Sequence, residues 1–407
     1  MSKREFGKIT EKEYRDFWAK TEQRSFLSSP EIAHLRDDFK AICYGVKEDG
    51  KLVAAAIVRG EKRPFGMYEF RAPRGVLVDY NDFALVKFFI DHLKAELIKN
   101  GGVSFRMDPN IERVERDIDG NEVKGGYNNF EIIENLKKLG FKQRKYVEGI
   151  SEITWEFVLE TEGKTEEELL AAMKPNTRRR LKQAEALGVE IRELKRDELK
   201  EFHDILAQTA ERKEFKARDL AYYEKMYDLF CKNGEAQFVS AVIKPKECMA
   251  RLEAEKARIE AEKPETIRAK RDHEDALKSI ETRIAKTKEI LGDITEDEIV
   301  LSSGMFFFLQ PEIMHYAGGN ADKFIKLDGQ YVLQWEMIKK ALHGGFKRYN
   351  FYGITANINE HPNGVYEFKR GFSGKVVELI GEYELTLNPS KKALLTTMRK
   401  AKRLVRH

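Results

Sequence analysis

The chain repeats itself, and the repeat limits the folds open to it more than any other feature. Residues 83–99 read as a helix, followed by Gly101-Gly102 and a strand-like run at 103–107. In the second half residues 331–342 take the place of the helix, followed by Gly344-Gly345 and a strand-like run at 346–351. A hairpin precedes each copy. In the first, residues 41–46 and 52–58 flank the turn Lys47-Glu48-Asp49-Gly50, and in the second the two apolar-rich runs are 236–243 and 299–309. Further on, Leu139-Gly140-Phe141 is answered by Arg370-Gly371-Phe372, each after a short helical segment. Two copies of one mixed α/β unit are expected, the first ending near residue 150 where a run at 153–159 opens the second.

Residues 246–292 interrupt the second hairpin and consist almost wholly of Lys, Arg, Glu, Asp and Ala. Leu252, Ile259, Ile267, Leu277, Ile280, Ile284 and Leu291 recur there at steps of about three, four and seven, the spacing of a coiled coil. Pro264 cannot continue a helix but suits the first turn of a new one, so Ala261-Glu262-Lys263-Pro264 reads as the hinge of an antiparallel hairpin. The fold class is therefore α/β (α+β), and the order of elements fits two tandem GNAT-like acyltransferase domains with a coiled-coil hairpin inserted in the second. The expected boundaries are 1–150 for the first domain, 151–245 and 293–390 for the second, 246–292 for the arm and 391–407 for a basic C-terminal tail.

Composition narrows the function classes. Of 407 residues 42% are apolar and 35% charged, enough for large cores and unlike a disordered chain. No apolar run nears the roughly 18 residues that span a bilayer, and the N-terminus enters a polar segment with no apolar signal region, so a cytoplasmic protein is expected. Cys43, Cys231 and Cys248 are odd in number and widely spaced, which argues against a disulfide framework or a zinc site and for small buried hydrophobes. No metal and no cofactor is expected. Net charge is only +4, but no acid follows Glu384, while Lys391, Lys392, Arg399, Lys400, Lys402, Arg403 and Arg406 crowd the end. That end suits an anionic surface, the inner face of a membrane or a nucleic acid, and equally a solvated helix.

An acyl-CoA enzyme of this fold carries R/Q-x-x-G-x-G/A to cradle a pyrophosphate, and neither half has it. Side chains must then meet any phosphate, and residues 174–182 put five cations within nine positions, Lys174, Arg178, Arg179, Arg180 and Lys182, at the start of a helix running to Gly188. A solvated helix face is the plain alternative.

Several motifs taken together resemble the FemABX family, transferases that move an amino acid from aminoacyl-tRNA onto peptidoglycan precursors. They are Phe26-Leu27-Ser28-Ser29-Pro30, Met107-Asp108-Pro109, Asn176-Thr177-Arg178-Arg179, Glu211-Arg212 with Arg218 and Tyr222-Tyr223, and Gln334-Trp335. Tyr349-Asn350-Phe351-Tyr352-Gly353 and Gly364 to Phe372 complete the series, which spans nearly the whole chain. The resemblance implies that Arg36 and Arg212 with Arg218 meet the diphosphate of a UDP-linked or lipid-linked muramyl-pentapeptide, and that Tyr222 stacks on its sugar or uracil. It implies that Lys369, beside Phe368, sits at the aminoacyl end of the tRNA, with Arg178, Arg179, Arg180, Lys182 and Arg370 as further phosphate contacts. Asp108 is the candidate base or amine-positioning carboxylate, and an Asp-Pro turn is its structural alternative. Two positions depart from the family's habit: Ser373 stands where Phe-Gly-Gly is common, and Asn350 where Tyr-Asp-Phe is.

The chemistry implied is direct aminolysis: a lysine amine of the stem peptide attacks the ester that links an amino acid to ribose. The absence of a Cys–His or Ser–His–Asp pattern fits the lack of a covalent enzyme intermediate. A GNAT-type acyl-CoA N-acyltransferase and a non-catalytic tRNA-binding scaffold are the competing readings. The arm is open between tRNA contact, a rigid spacer, and pairing with a second copy or another partner.

Overall fold

A computed structural model describes residues 3–35, 39–147, 151–292, 294–355 and 364–404, with residues 402–404 described as backbone only. The chain forms two compact units: Met1–Phe157 with Gly353–Pro362 and Lys375–His407 in unit 1, and Val158–Tyr352 with Asn363–Gly374 in unit 2. Unit 1 opens with β1 (Arg4–Lys8), α1 (Glu11–Trp18), β2 (Phe39–Glu48), β3 (Lys51–Arg63), β4 (Met67–Arg74), α2 (Phe83–Lys99) and β5 (Gly102–Pro109). It continues through β6 (Glu112–Glu115), α3 (Phe130–Lys138), β7 (Lys142–Gln143) and β8 (Trp155–Glu160), on which the chain enters unit 2. There follow α4 (Glu166–Ala172), α5 (Pro175–Ala186), β9 (Glu190–Glu193), α6 (Leu199–Arg212), α7 (Leu220–Phe230) and β10 (Ala236–Ile243). The arm is α8 (Pro245–Glu260) and α9 (Ile267–Leu291), and unit 2 closes with β11 (Ile299–Leu309), β12 (Glu312–Asn320), α10 (Gly329–His343), β13 (Arg348–Gly353) and α11 (Gly364–Gly371). The chain ends in unit 1 with β14 (Lys375–Leu379), β15 (Tyr383–Thr386) and α12 (Pro389–Leu404).

The two units share one plan. In unit 1, β2, β3 and β4 run antiparallel, α2 crosses over, and β5 returns parallel to β4. The β2–β3 turn is the pair Asp49-Gly50, both at positive φ (48° and 81°), the backbone twist that a two-residue hairpin requires. Helix α2 turns Leu85, Val86, Phe89, Ile90, Leu93 and Leu97 onto the sheet against Phe70, Ala72, Phe105 and Met107. Each such side chain stabilises the fold by about 1.5–3 kcal/mol on burial. In unit 2, β10, β11 and β12 run antiparallel, α10 crosses over, and β13 returns parallel to β12. The expected pair of GNAT-like units is what the structure contains.

The units differ where the parallel strands meet. β4 and β5 are paired from Tyr68 with Gly102 through Arg74 with Pro109. β12 and β13 are paired only from Glu312 with Arg348 through Met314 with Asn350, after which β12 runs on to Asn320 unaccompanied by β13.

Three expectations change. The segment expected to complete the second domain up to residue 390 returns instead to unit 1, because the exposed edge of β5 needs a partner: β15 pairs with it from Tyr383 with Met107 to Thr386 with Ser104. The basic tail is not separate either, since α12 lays Leu395 on Met67 and Val103 while Lys392 and Arg399 pair with Glu384 and Glu69. The arm does interrupt the β10–β11 hairpin, and Leu252, Ile259, Ile280 and Leu291 bury its seam, with Arg283 on Glu255 and Lys256 on Glu281 beside them. Its hinge is longer than read from Pro264, for α9 starts after the cap Thr266, and Ile267 is 89% exposed and outside the seam. No helix among the described residues is long and apolar enough to cross a membrane.

Candidate functional site

Beyond Met314 and Asn350 the strands β12 and β13 of unit 2 part, and the gap between them is the cleft. Opposite β11, Phe306 pairs with His315 and Met305 with Ala317, so Tyr316 is the extra residue of a bulge at the point of divergence. All of His315 through Asn320 are half-buried, as expected of a strand that lines an opening. The Tyr316 hydroxyl meets that of Tyr222 at 2.8 Å, its ring lies 6.0 Å from that of Tyr352, and Arg218 covers the Tyr222 ring at 5.4 Å. On the β13 side, Asn350 is fully buried: its Oδ1 accepts from the Tyr352 N–H at 2.7 Å and its Nδ2 donates to Glu312 at 3.2 Å. This amide holds Tyr352 in its left-handed conformation at φ 63°. Lys369, on α11, is 7% exposed, and its Nζ donates to the Tyr352 carbonyl at 3.1 Å. Phe368 wedges between Tyr331 and Phe372, which anchors α11 on the core beside the cleft. A buried ammonium fixed on a backbone oxygen at the mouth of a cleft is suited to an anionic or strongly polarised ligand oxygen.

Unit 1 carries a second polar centre. Asp108 on β5 is 1% exposed, its oxygens lie 3.9 Å from Arg71 and 3.6 Å from Arg74, and neither oxygen has a hydrogen-bond partner among the described residues. Burial pushes its carboxyl up to about 6, against the pull of Arg74 and then Arg71. Arg74 also donates to the Ile153 carbonyl at 2.5 Å and to Glu156 at 3.2 Å, and Arg71 to Glu152 at 2.8 Å. Asp108 borders a cavity of about 140 Å³ whose walls include Arg113, Arg144, Ser151, Trp155 and Glu382. A carboxyl that titrates close to neutrality and faces a small polar cavity can take a proton from an ammonium.

With that geometry, the relatives can be placed. The FemAB family profile matches residues 9–400. The chain belongs to the FemAB family. It is 28% identical over 420 aligned residues to Aminoacyltransferase FemA of Staphylococcus aureus (strain bovine RF122 / ET3-1), covering 98% of this chain and 99% of that one. Against Aminoacyltransferase FemA of Staphylococcus epidermidis the figure is 27% over 418 residues, covering 98% and 100%. The crystal structure of FemX superposes with a TM-score of 0.76 at 23% identity, covering 96% of this chain and 99% of that one, which supports the fold.

For a FemAB protein, the residues picked from sequence are distributed unevenly. Lys369, Phe368, Arg218 and Tyr222 gather around the unit 2 cleft, whereas Asp108 belongs to unit 1. Arg212 is held by Asp322, on the first turn after β12, and by Thr209 at 3.4 Å. Of the cations on α5, Arg178 donates to the carbonyls of Leu170 and Ala171 and so caps α4, and Arg180 pairs with Asp328 at 2.8 Å over the Tyr331 ring. Arg179 reaches Gln183 and Asn176 along its own helix, and Lys182 is exposed on the outer face. Arg370 lies 3.6 Å from Glu367. Arg36 lies outside the described residues. Sequence reasoning missed Arg71, Arg74 and His315, which lie on strands among ordinary residues and become site residues only through register. The thiols of Cys43 and Cys231 are raised to about 12 and that of Cys248 to about 11 by burial, as fits unreactive packing groups. No group of three or more metal-ligating side chains occurs among the described residues.

Proposed function

We propose that this FemAB protein transfers an amino acid from aminoacyl-tRNA to the stem-peptide amine, or the growing bridge, of a peptidoglycan precursor. The observation that carries the reading is the unit 2 cleft with Lys369 fixed at its mouth, on a chain whose full length matches FemA aminoacyltransferases. In the reaction the amine attacks the ester carbonyl, the new C–N bond forms, the C–O bond to ribose breaks, the ammonium proton is released and the ribose oxygen is protonated. Lys369 supplies positive charge to the ester end of the donor in the cleft, while Tyr222, Tyr316 and Tyr352 flank it. The candidate base Asp108 belongs to unit 1, where Arg113 and Arg144 at its cavity offer charge to an anionic acceptor group.

The acyl-CoA alternative meets an obstacle at both crossover helices. Asp82 caps α2, accepting from the Leu85 N–H at 2.9 Å, and Asp328 stands at the head of α10, so a pyrophosphate at either helix N-terminus would face a carboxylate. A lipid-linked acceptor fits the exposed Lys391 and Lys400 of α12, which would face an anionic leaflet. The test is incubation of the protein with labelled aminoacyl-tRNAs and with UDP-linked or lipid-linked muramyl-pentapeptide. Label is expected in the acceptor. Acetylation from acetyl-CoA, or tRNA binding without transfer to either acceptor, would reject the proposal.

A further inference from the structure

The end of unit 1 where β3 turns into β4 presents an aromatic side chain that the transfer scheme does not use. The turn is Pro64-Phe65-Gly66, all three residues are exposed, and Phe65, at 80%, is the most exposed aromatic among the described residues. Its backbone is left-handed at φ 59°, where glycine or asparagine sits with less strain. A bulky apolar residue there serves neither the turn nor the core. One exposed phenylalanine is ordinary on a protein surface, so its surroundings decide what it means.

Those surroundings are apolar and cationic. The turn lies against the exit of α2: the Tyr68 N–H donates to the Gly101 carbonyl at 3.0 Å, and a Cβ on Gly101 would stand 2.7 Å from the Gly66 oxygen. Ile98, 43% exposed, and the exposed Lys99 close α2 at this end. Helix α12 reaches the same place. Its Leu395 packs on Met67, the residue after the turn, and its Arg399 shares the Glu69 carboxylate with Arg63, the residue before it. Leu394 of α12 is 47% exposed. The carboxylates nearby are taken up, Glu61 by Arg63 and Glu69 by both arginines, and no acid follows Glu384. Lys62, Lys99, Lys391 and Lys400 are exposed and make no ion pair among the described residues.

We propose that this end of unit 1 docks on an anionic phospholipid surface, Phe65 entering the boundary between headgroups and acyl chains and the four lysines meeting lipid phosphates. The proposal deepens the lipid-linked form of the acceptor and rests on the transferase reading only for that purpose, since the contact itself involves no transfer. A nucleic acid would match the lysines and could stack a base on Phe65, but aliphatic Ile98 and Leu394 give a base no platform, whereas acyl chains accept all three. A second copy of the chain placed face to face would set lysine against lysine.

The full chain should cosediment with vesicles of phosphatidylglycerol and phosphatidylcholine in equal parts, release as salt rises from about 0.05 M to about 0.5 M, and ignore vesicles of phosphatidylcholine alone. Phe65→Asn suits the left-handed turn and removes the ring, so it should fold and bind the anionic vesicles about tenfold more weakly. The double variant Lys391→Ala, Lys400→Ala should lose roughly 10–30-fold. Emission from Phe65→Trp should shift to shorter wavelength on the anionic vesicles and be quenched by brominated acyl chains. Failure of the wild type to bind these vesicles at low salt would overturn the proposal. So would binding that Phe65→Asn leaves unchanged, or tRNA affinity lost in the lysine variant without any vesicle binding, which would assign the surface to RNA. If Phe65→Asn unfolds, the Phe65→Trp emission decides. Neither tRNA nor muramyl peptide enters this assay, so vesicle binding by a protein that transfers nothing upholds the docking surface and rejects the transferase reading alone.

Discussion

Replacing Asp108 by asparagine asks whether the buried carboxyl of unit 1 is a strained charge or a stabilising ion pair. Asp108 is 1% exposed, without hydrogen bonds to either oxygen, and its nearest cations stand at 3.6 Å and 3.9 Å. Burial outweighs them, raising the carboxyl from the ordinary 3.8 to about 6. Between those values the folded chain binds the proton more tightly than the unfolded chain, so stability falls as pH rises from about 4 to about 6 and stays lower above. At about 1.4 kcal/mol per tenfold change in affinity, the ionised carboxylate costs on the order of 3 kcal/mol at pH 7. Asparagine has nearly the same shape and no charge. Asp108→Asn should match wild type near pH 4 and exceed it by up to about 3 kcal/mol at pH 7, less what Arg74 loses, which is limited because Glu156 and the Ile153 carbonyl still hold it. Urea unfolding of both proteins at steps from about pH 4 to 7.5 measures the difference. In parallel, wild-type transfer should rise with pH through about 6, and the variant should lose that rise. A variant weaker than wild type by about 3–5 kcal/mol at pH 7 would refute the reasoning. That is the signature of breaking a favourable buried pair, and such a carboxyl would sit too low to take a proton near neutrality.

The other perturbations separate chemistry from scaffolding. Lys369→Ala should reduce kcat about 10²–10³-fold in the transfer assay while leaving tRNA affinity nearly unchanged, because one buried charge at the ester end acts chiefly in the transition state. Asn350→Asp places a carboxylate 3.2 Å from Glu312 while keeping the Tyr352 N–H bond, so a loss of about 1–3 kcal/mol in thermal unfolding is expected, larger at pH 7 than at pH 4. Ile280→Ala, at the 1% exposed centre of the arm seam, should open the arm to hydrogen exchange at a cost of about 2–5 kcal/mol and leave transfer to a soluble acceptor unchanged.

Local pattern carried most of the elements into view. Helix α2 was readable end to end because its apolar residues recur at helical spacing and its exit is marked by Gly101-Gly102, and the arm because a heptad among charges has few other uses. The return of β15 to unit 1 was not readable, since pairing between Tyr383 and Met107 depends on an open strand edge that no local run announces. Lys369 and Asp108 were visible through the motifs around them. The meaning of Asn350 was not: the apparent loss of a carboxylate is an amide that must donate to Glu312 and accept from Tyr352 at once, which an aspartate cannot do. The cation cluster on α5 misled in the other direction, because Arg178 and Arg180 serve a helix cap and an ion pair that a charge count cannot distinguish from a phosphate site.

The difference in strand pairing accounts for the separate chemistry of the two units. In unit 1 the parallel pair is closed along its length, and the closed register sets Pro73 opposite Asp108, with Arg71 and Arg74 of β4 on either side of that carboxylate. The pairing that removes the cleft is what buries Asp108 between two guanidinium groups and raises its carboxyl. In unit 2 the corresponding pair stops after Met314 and Asn350, and the next residues, His315, Tyr316 and Tyr352, border an opening instead of a ladder. The repeated plan thus yields a buried ammonium beside parted strands in one copy and a buried carboxyl raised toward neutrality in the copy whose strands stay paired.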